Sequence, residues 1–237
     1  KTAYIIPIHG DIMPPLMVFI KRGIEKAEEN NPDYIIFDID TFGGRVDTAL
    51  QITTLIGSLK DIHTIAFVNL SPEGTGVSWS AGALISFSCD SIYMAPGTSI
   101  GAAAPIIQGA SGESEPAGEK TVSAVRTQMA AIAEKNGYPR GVALAMVDQE
   151  VLLLEVYIDG DLRLMTEEEY EEARRRAEEE GTEVEKGKVV SDSGKLLSLT
   201  AGQMADYKLS SGTVVARAGL LEELEVLEGK ALQALEE

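Results

Sequence analysis

Apolar residues fall in short dense runs along the first hundred positions, and between the runs they recur every three or four residues. "AYIIPI" (3–8) is a β-rich run; "PPLMVFIKRGIEKAEENN" after it spaces Leu16, Ile20, Ile24 and Ala27 along one helical face. "YIIFDI" (34–39) reads as a buried strand, and "RVDTALQITTLIGSL" as a helix with Val46, Ala49, Leu50, Thr53 and Ile56 on one side. "HTIAFV" (63–68) predicts a third strand, "WSAGALISFS" a helix and "SIYMA" (91–95) a short fourth strand. Strand and helix alternating at this rhythm imply parallel βαβ units with right-handed crossovers.

The pattern then changes. "IIQGASGESEPAGEK" (106–120) is rich in Gly, Ser, Glu and Pro and reads as a loop, followed by the helical "TVSAVRTQMAAIAEKNG", for which Gly137 is the stop. "EVYIDGDLRLMT" predicts a hairpin around Asp159–Gly160. The acidic "TEEEYEEARRRAEEEGTEVEK" (166–186) reads as a helix with a solvated face, and "KVVSDSGKLLSL" follows it. The expected organisation is therefore an α/β core over 1–150, a small α+β excursion over 151–215, and an amphipathic helix over 216–237. That helix carries Leu220, Leu224, Leu227 and Ala231 on one stripe. No internal repeat is visible.

Charge narrows the partners. The 237 residues carry a formal charge of −18, which disfavours a phosphate-backbone partner and so excludes nucleic acid. Cys89, the single cysteine, sits in the apolar "ISFSCDSIYM" and is expected as a buried small hydrophobe. No apolar run reaches the roughly 20 residues of a membrane-spanning helix. The chain starts at Lys1 with no secretory n-region or h-region, so it is expected to be processed or trimmed, with any anchor segment outside it.

Most hydrolytic chemistries are removed by counting. There are two histidines: His9 closes a strand, and His63 opens one at the opposite end of the sheet. The sequence has no HExxH, CxxC or His cluster, no Walker-type loop and no GxGxxG, so no metal and no cofactor is expected. Two glycine-bearing turns remain, each after a strand. In "DIDTFGGRVDTA" (38–49), Gly43–Gly44 either make a tight strand-to-helix turn or offer free N–H groups at the carboxyl edge of the sheet. In "VSWSAGALISFS" (77–88), Ser80 is either a helix N-cap or a nucleophile, with small Ala81 and Gly82 admitting a substrate backbone. One N–H of the Gly43–Gly44 turn and that of Ala81 would together make a two-donor oxyanion hole.

"DTFGGRVDTALQI", "SWSAGALISFSCDSIYMAPGTSIGAAAP" and "KLLSLTAGQMA" resemble the ClpP-class serine peptidases. Within that class they resemble the NfeD (nodulation efficiency protein D) family of membrane-associated proteases, over essentially the whole chain. The resemblance implies a ClpP/crotonase-like fold of repeated ββα/βαβ units and a Ser-Lys dyad. It gives Ser80 as nucleophile, Gly44 or Gly43 with Ala81 as oxyanion donors, and Lys120 as general base. A lysine acts as a base only when neutral, which needs burial or a nearby cation, and it needs Glu113, Glu115 and Glu119 kept away. Lys60 and Lys135 are the rival bases, and both read as surface residues. Phe42 stands where the family has proline, and Lys208 where it has glycine.

The implied activity is a serine endopeptidase that takes extended hydrophobic peptides on strand edges near 68–72 and 100–107. Its implied substrates are membrane-associated proteins of the stomatin or prohibitin kind. The implied state is a homo-oligomer attached outside the cytoplasm. The alternatives are a catalytically silent scaffold for stomatin-like partners and a crotonase-type acyl-CoA enzyme. The latter would want a carboxylate base and an adenine pocket, for which the sequence offers no candidate.

Overall fold

A strand buried on both faces needs an unbroken apolar run, and the early runs become the parallel strands of one sheet. The computed structural model describes residues 1–108, 113–227 and 231–233. They divide into two units, Lys1–Gly101 with the segment from Ser198 onward, and Ala102–Leu197. The division thus falls at 101/102 and 197/198, where the periodicity placed it near 150.

The first unit begins with β1 (Ala3–His9), α1 (Pro14–Asn30), β2 (Tyr34–Asp40), α2 (Val46–Ser58) and β3 (His63–Val68). It continues with β4 (Val77–Trp79), α3 (Ala81–Phe87), β5 (Ser91–Met94) and β6 (Ser99–Gly101). The second unit holds β7 (Ile106–Gln108), β8 (Ser114–Pro116), α4 (Glu119–Lys135), α5 (Arg140–Val147), β9 (Leu153–Ile158), β10 (Asp161–Thr166), α6 (Glu167–Glu180) and β11 (Val184–Ser191). The chain then returns to the first unit with β12 (Ser198–Thr200), α7 (Ala201–Asp206), β13 (Gly212–Thr213), α8 (Ala216–Glu223) and β14 (Ala231–Gln233).

In the first unit the main sheet runs β13-β5-β3-β2-β1-β14, all parallel. A second sheet, β12-β6-β4, leads into α3. Helix α1 buries Ile20, Gly23, Ile24 and Ala27. Helix α2 buries Thr48, Ala49, Ile52, Thr53 and Ile56, so its inward face is turned toward Ile52 and away from Val46 and Leu50. One core cluster gathers Ile5, Ile36, Ile65 and Phe67 from the sheet under Leu220, Leu221, Leu224 and Val226.

That cluster explains why the terminal helix is shorter than expected. Helix α8 stops at Glu223, because Glu225 takes a φ of +59°. The N–H of Val226 then donates to Leu221 O at 2.8 Å and that of Glu225 to Glu222 O at 3.0 Å, a Schellman stop that turns Val226 into the core. Ala231 consequently lies on a strand beside β1 and not on the helical stripe.

In the second unit, β9 pairs antiparallel with β10 and β11. Asp159 and Gly160, both at positive φ, make the hairpin turn that the sequence marked. Helix α6 opens on a capping box between Thr166 and Glu169. The stretch read as a loop contains a small hairpin, with Ile106 opposite Pro116 and Gln108 opposite Ser114. Gly109 and Gly112 of that stretch lie outside the described residues.

Candidate active site

The carboxyl end of β2 carries four polar or small residues, and each has a separate task. The Asp40 carboxylate, buried at the strand end, accepts from the hydroxyls of Ser71 and Thr75 and from the N–H groups of Thr75 and Gly76. It thereby fixes the loop that feeds β4. Thr41, also buried, ties β2 to β4: its N–H donates to Val77 O at 2.8 Å, and its carbonyl accepts the Trp79 N–H at 3.1 Å. Its hydroxyl donates to Gly10 O at 2.5 Å and accepts the Gly43 N–H at 3.0 Å.

That last bond separates the two glycines. Gly43 spends its N–H on Thr41. Gly44 forms a parallel bridge with Ile12, held by Ile12 N–H to Gly43 O at 2.9 Å and Arg45 N–H to Ile12 O at 2.8 Å. In a parallel ladder the residue between two such bonds turns its own N–H the other way. Gly44 therefore presents its N–H on the side away from Ile12, and it is exposed.

Ser80 follows β4 at φ +53° and ψ −119°. A non-glycine residue held there stores about 1–3 kcal/mol of strain, so the surrounding bonds must impose it. The Ser80 N–H donates to Gly101 O at 3.0 Å, and its carbonyl accepts from Ala83 at 3.0 Å. The hydroxyl does not cap α3, and among the described residues it has no hydrogen-bond partner. The N-cap reading of the sequence is thus answered: Ser80 occupies the position, but its oxygen is not used for it. Ala81, buried at the first position of α3, keeps an N–H with no acceptor in its own helix.

Gly43 sits directly against this turn. A Cβ added there would lie 2.5 Å from Ser80 Cβ, 3.0 Å from its Oγ and 3.2 Å from the Ala81 nitrogen. Gly82 is equally confined, 2.6 Å from Thr41 Cγ2 and 2.9 Å from Ser78 Oγ by the same measure. Gly43, Ser80 and Ala81 are thus brought into contact within the first unit.

Lys120 lies in the second unit, at the second position of α4 after Gly118, with an exposed side chain. Of the nearby acids, Glu113 and Glu115 are exposed, and Glu119 pairs with Arg126 at 3.5 Å. Lys60 and Lys135 are exposed as well. The burial that a lysine base needs is not built around Lys120 by its own helix.

Other sequence expectations resolve plainly. Cys89 is buried, and burial pushes its thiol pKa up. His63 opens β3 and contacts Ser91 Oγ at 2.7 Å. His9 closes β1 with its Nε2 3.6 Å from Asp38 Oδ1, while Arg217 of α8 donates to Asp38 Oδ2 at 2.7 Å. The Asp38 carboxylate raises the His9 pKa against the opposing effect of burial. Burial pushes Asp38 up, but His9 and Arg217 outweigh it and its pKa falls below the ordinary value. Lys208 takes a φ of +55°, so the turn keeps the left-handed residue expected of glycine. Of the two expected peptide-binding edges, 68–72 has only Val68 on a strand, and 100–107 spans the end of β6, which has a neighbour on both sides, and the start of β7, which pairs with β8 alone. The sequence reading missed Asp40 and Thr41; the signal was a polar "DIDT" closing a strand that is otherwise apolar.

No helix among the described residues is long and apolar enough to cross a membrane. The chain is 35% identical over 156 residues to the membrane protein NfeD1b of Bacillus subtilis, covering 66% of this chain and 33% of that protein. It is 38% identical over 107 residues to the membrane-bound protease PH1510 of Pyrococcus horikoshii, covering 45% and 23%. The chain thus spans a third or less of the length of these two relatives.

Its fold matches 1510-N, a membrane-bound stomatin-specific protease, solved as a serine-to-alanine mutant (TM-score 0.71, 20% identity, 100% of this chain and 99% of that one). It also matches a lysine-to-alanine mutant of 1510-N in complex with a substrate peptide (TM-score 0.68, 23% identity, 94% and 79%). ClpP1 from Listeria monocytogenes matches at a TM-score of 0.54 and 17% identity, over 91% and 94%. The fold is therefore ClpP-like. The family model for the NfeD1b N-terminal domain matches residues 2–185, and the chain belongs to that family.

Proposed function

We propose that this domain is a serine endopeptidase acting through an acyl-enzyme on Ser80, with Lys120 as general base. The observation that carries the reading is Ser80 itself. Its backbone is strained, its hydroxyl is free of any cap bond, and Gly43 is packed against it so closely that no side chain fits.

In the first step Ser80 Oγ bonds to the scissile carbonyl carbon and its proton passes to Lys120 Nζ. The oxyanion accepts hydrogen bonds from Gly44 and Ala81, each such donor being worth about 2.7–4 kcal/mol in acyl transfer. Gly44 is preferred to Gly43 because the Gly43 N–H is already engaged by Thr41. Collapse breaks the C–N bond, and the leaving amine takes the proton from Lys120. Water then repeats the sequence on the ester and frees Ser80.

The serine and lysine replaced in the two 1510-N mutants are separated by a stretch one residue longer than that from Ser80 to Lys120, which supports the pairing. By the same relationship the substrates are hydrophobic segments of membrane-associated proteins of the stomatin or prohibitin kind. The domain works outside the cytoplasm as a homo-oligomer, tethered by segments beyond this chain.

A second reading is favoured by one observation, the exposure of Lys120: a silent scaffold for stomatin-like partners. Fluorophosphonate labelling separates the two. Covalent labelling of the wild type, lost in Ser80→Ala, is expected of the enzyme; no labelling of correctly folded wild type supports the scaffold.

A further inference from the structure

Phe42 is the most exposed of the five phenylalanines; Phe37, Phe67 and Phe87 are fully buried, and Phe42 is 58% exposed. A ring left in water forgoes roughly 1.5–3 kcal/mol of burial, so its position asks for a reason. Nothing in the backbone lets it retreat. Thr41 and Gly43 on either side are pinned to Val77, Trp79 and Ile12. The ring meets Trp79 edge to face, with centroids 5.5 Å apart and planes at 67°. The indole is pinned in turn, its N–H donating to Ser99 Oγ at 2.9 Å. Two aromatic rings in mutual contact thus stand at the surface on residues adjoining Gly43 and Ser80.

We infer that Phe42 and Trp79 form a specificity subsite that takes an aromatic side chain of the peptide acylating Ser80, an inference that rests on the function proposed above. Phe42 precedes Gly43, which packs against Ser80, and Trp79 precedes Ser80 itself, so both rings stand on residues that adjoin the proposed nucleophile. A side chain next to the reacting carbonyl must then pack on the exposed part of Phe42. The indole is already held by its hydrogen bond, so it loses little entropy when a further ring packs on the pair, and aromatic anchors of this kind dominate recognition. An aromatic contact is worth roughly a twofold to tenfold gain in affinity beyond area burial. A proline at position 42 could not supply it, so the preference is set by this residue and not by the fold.

Trp79 is the single tryptophan of the chain, so its emission reads the subsite directly. The test uses Ser80→Ala protein and two nine-residue peptides with lysines at the ends, differing only in a central Phe or Ala. The Phe peptide is expected to shift Trp79 emission to the blue and to bind about fivefold to tenfold more tightly. Adding Phe42→Ala should bring the two affinities within twofold, whereas Phe42→Tyr should restore the difference. An unchanged ratio in Phe42→Ala overturns the inference, as does a blue shift that follows protein concentration without peptide, which would mean that a second copy covers the rings. Failure of the Phe peptide to bind also overturns it. Fluorophosphonate labelling of the wild type then decides separately whether the proposed chemistry stands.

Discussion

Gly43 packs against one proposed catalytic residue, Ser80, and Gly118 shortly precedes another, Lys120, yet the two glycines are held very differently. Around Gly43 the chain is over-determined: φ is +114°, a Cβ would strike Ser80, and Thr41 fixes the N–H. Gly118, the residue before α4, has an ordinary φ of −64° and no described atom within 4 Å of its missing Cβ. The proposed nucleophile and its proposed oxyanion donors are therefore set in local backbone that is held from several sides. The lysine rides on the exposed first turn of a helix that would form equally well without it. A strained, fully bonded turn marks a place where geometry is set before substrate arrives. An exposed lysine marks one where the environment must be supplied by something that covers it.

The sharpest break of this contrast is Lys120→Ala. It should lower peptide hydrolysis by about 10²–10⁴-fold, the range for loss of a general base. Because the side chain is exposed, stability should change by less than about 0.5 kcal/mol. Lys120→Arg should not rescue turnover, since a guanidinium does not give up its proton. A Lys120→Ala enzyme with wild-type turnover moves the base elsewhere, with Lys135 next to be tested.

Exchanging side chains at the two glycines comes second. Gly43→Ala should reduce fluorophosphonate labelling by roughly 10²-fold, because Ser80 Cβ must move to admit the methyl group. It should also cost about 2–4 kcal/mol in urea unfolding. Gly118→Ser should leave labelling alone and stabilise by roughly 0.5 kcal/mol, since serine is a good N-cap and the site is open. Equal effects at both positions would erase the distinction between the two regions.

A finer test lies within the rigid half. Thr41→Val keeps shape but leaves the buried Gly43 N–H without its acceptor, at about 1–3 kcal/mol. If Thr41 positions the turn, labelling should slow by about tenfold and Thr41→Ser should restore it. Loss of stability with unchanged labelling would make Thr41 structural only.

This difference also governs what the sequence made legible. Strands β1, β2 and β3 were readable because burial on both faces forces continuous apolar runs. The Asp159–Gly160 hairpin was readable because its turn needs two positive φ values. Strands β4 and β6 were not: three residues long and rich in Ser and Gly, they owe their existence to pairing with each other and with β12. Helix α8 was overdrawn because its periodicity continues past Glu223, whereas burial of Val226 stops it. At the site, glycine and small-residue spacing marked Gly43, Gly44, Ser80 and Ala81 as a group. Hydrogen-bond bookkeeping was needed to tell Gly44 from Gly43. Spacing alone carried no information on whether Lys120 is covered.

The smallest effect lies at the same carboxyl end of the strands, where His9 and Asp38 meet Arg217. His9 is raised, so its contribution to stability is complete below its unfolded pKa of about 6.5 and is lost as pH rises through the folded value. Asp38 is lowered, so its contribution is present above about pH 3.9 and is lost as pH falls through its folded value. The two overlap between about pH 4 and 6.5, the window in which the His9–Asp38 pair contributes most to stability. Asp40 adds to the attraction on His9 and Arg217 opposes it, so the net effect is modest. With 41% of the His9 side chain in solvent, screening keeps it to at most about 1 kcal/mol. Thermal unfolding from pH 5 to 8 should therefore show the wild type losing stability relative to His9→Asn as pH rises. The Ser80 turn is held by uncharged hydrogen bonds, so hydrogen exchange at Ser80 and Ala83 should not follow that trend. Parallel melting curves for the two proteins would mean that the His9–Asp38 pair contributes no pH-dependent stability.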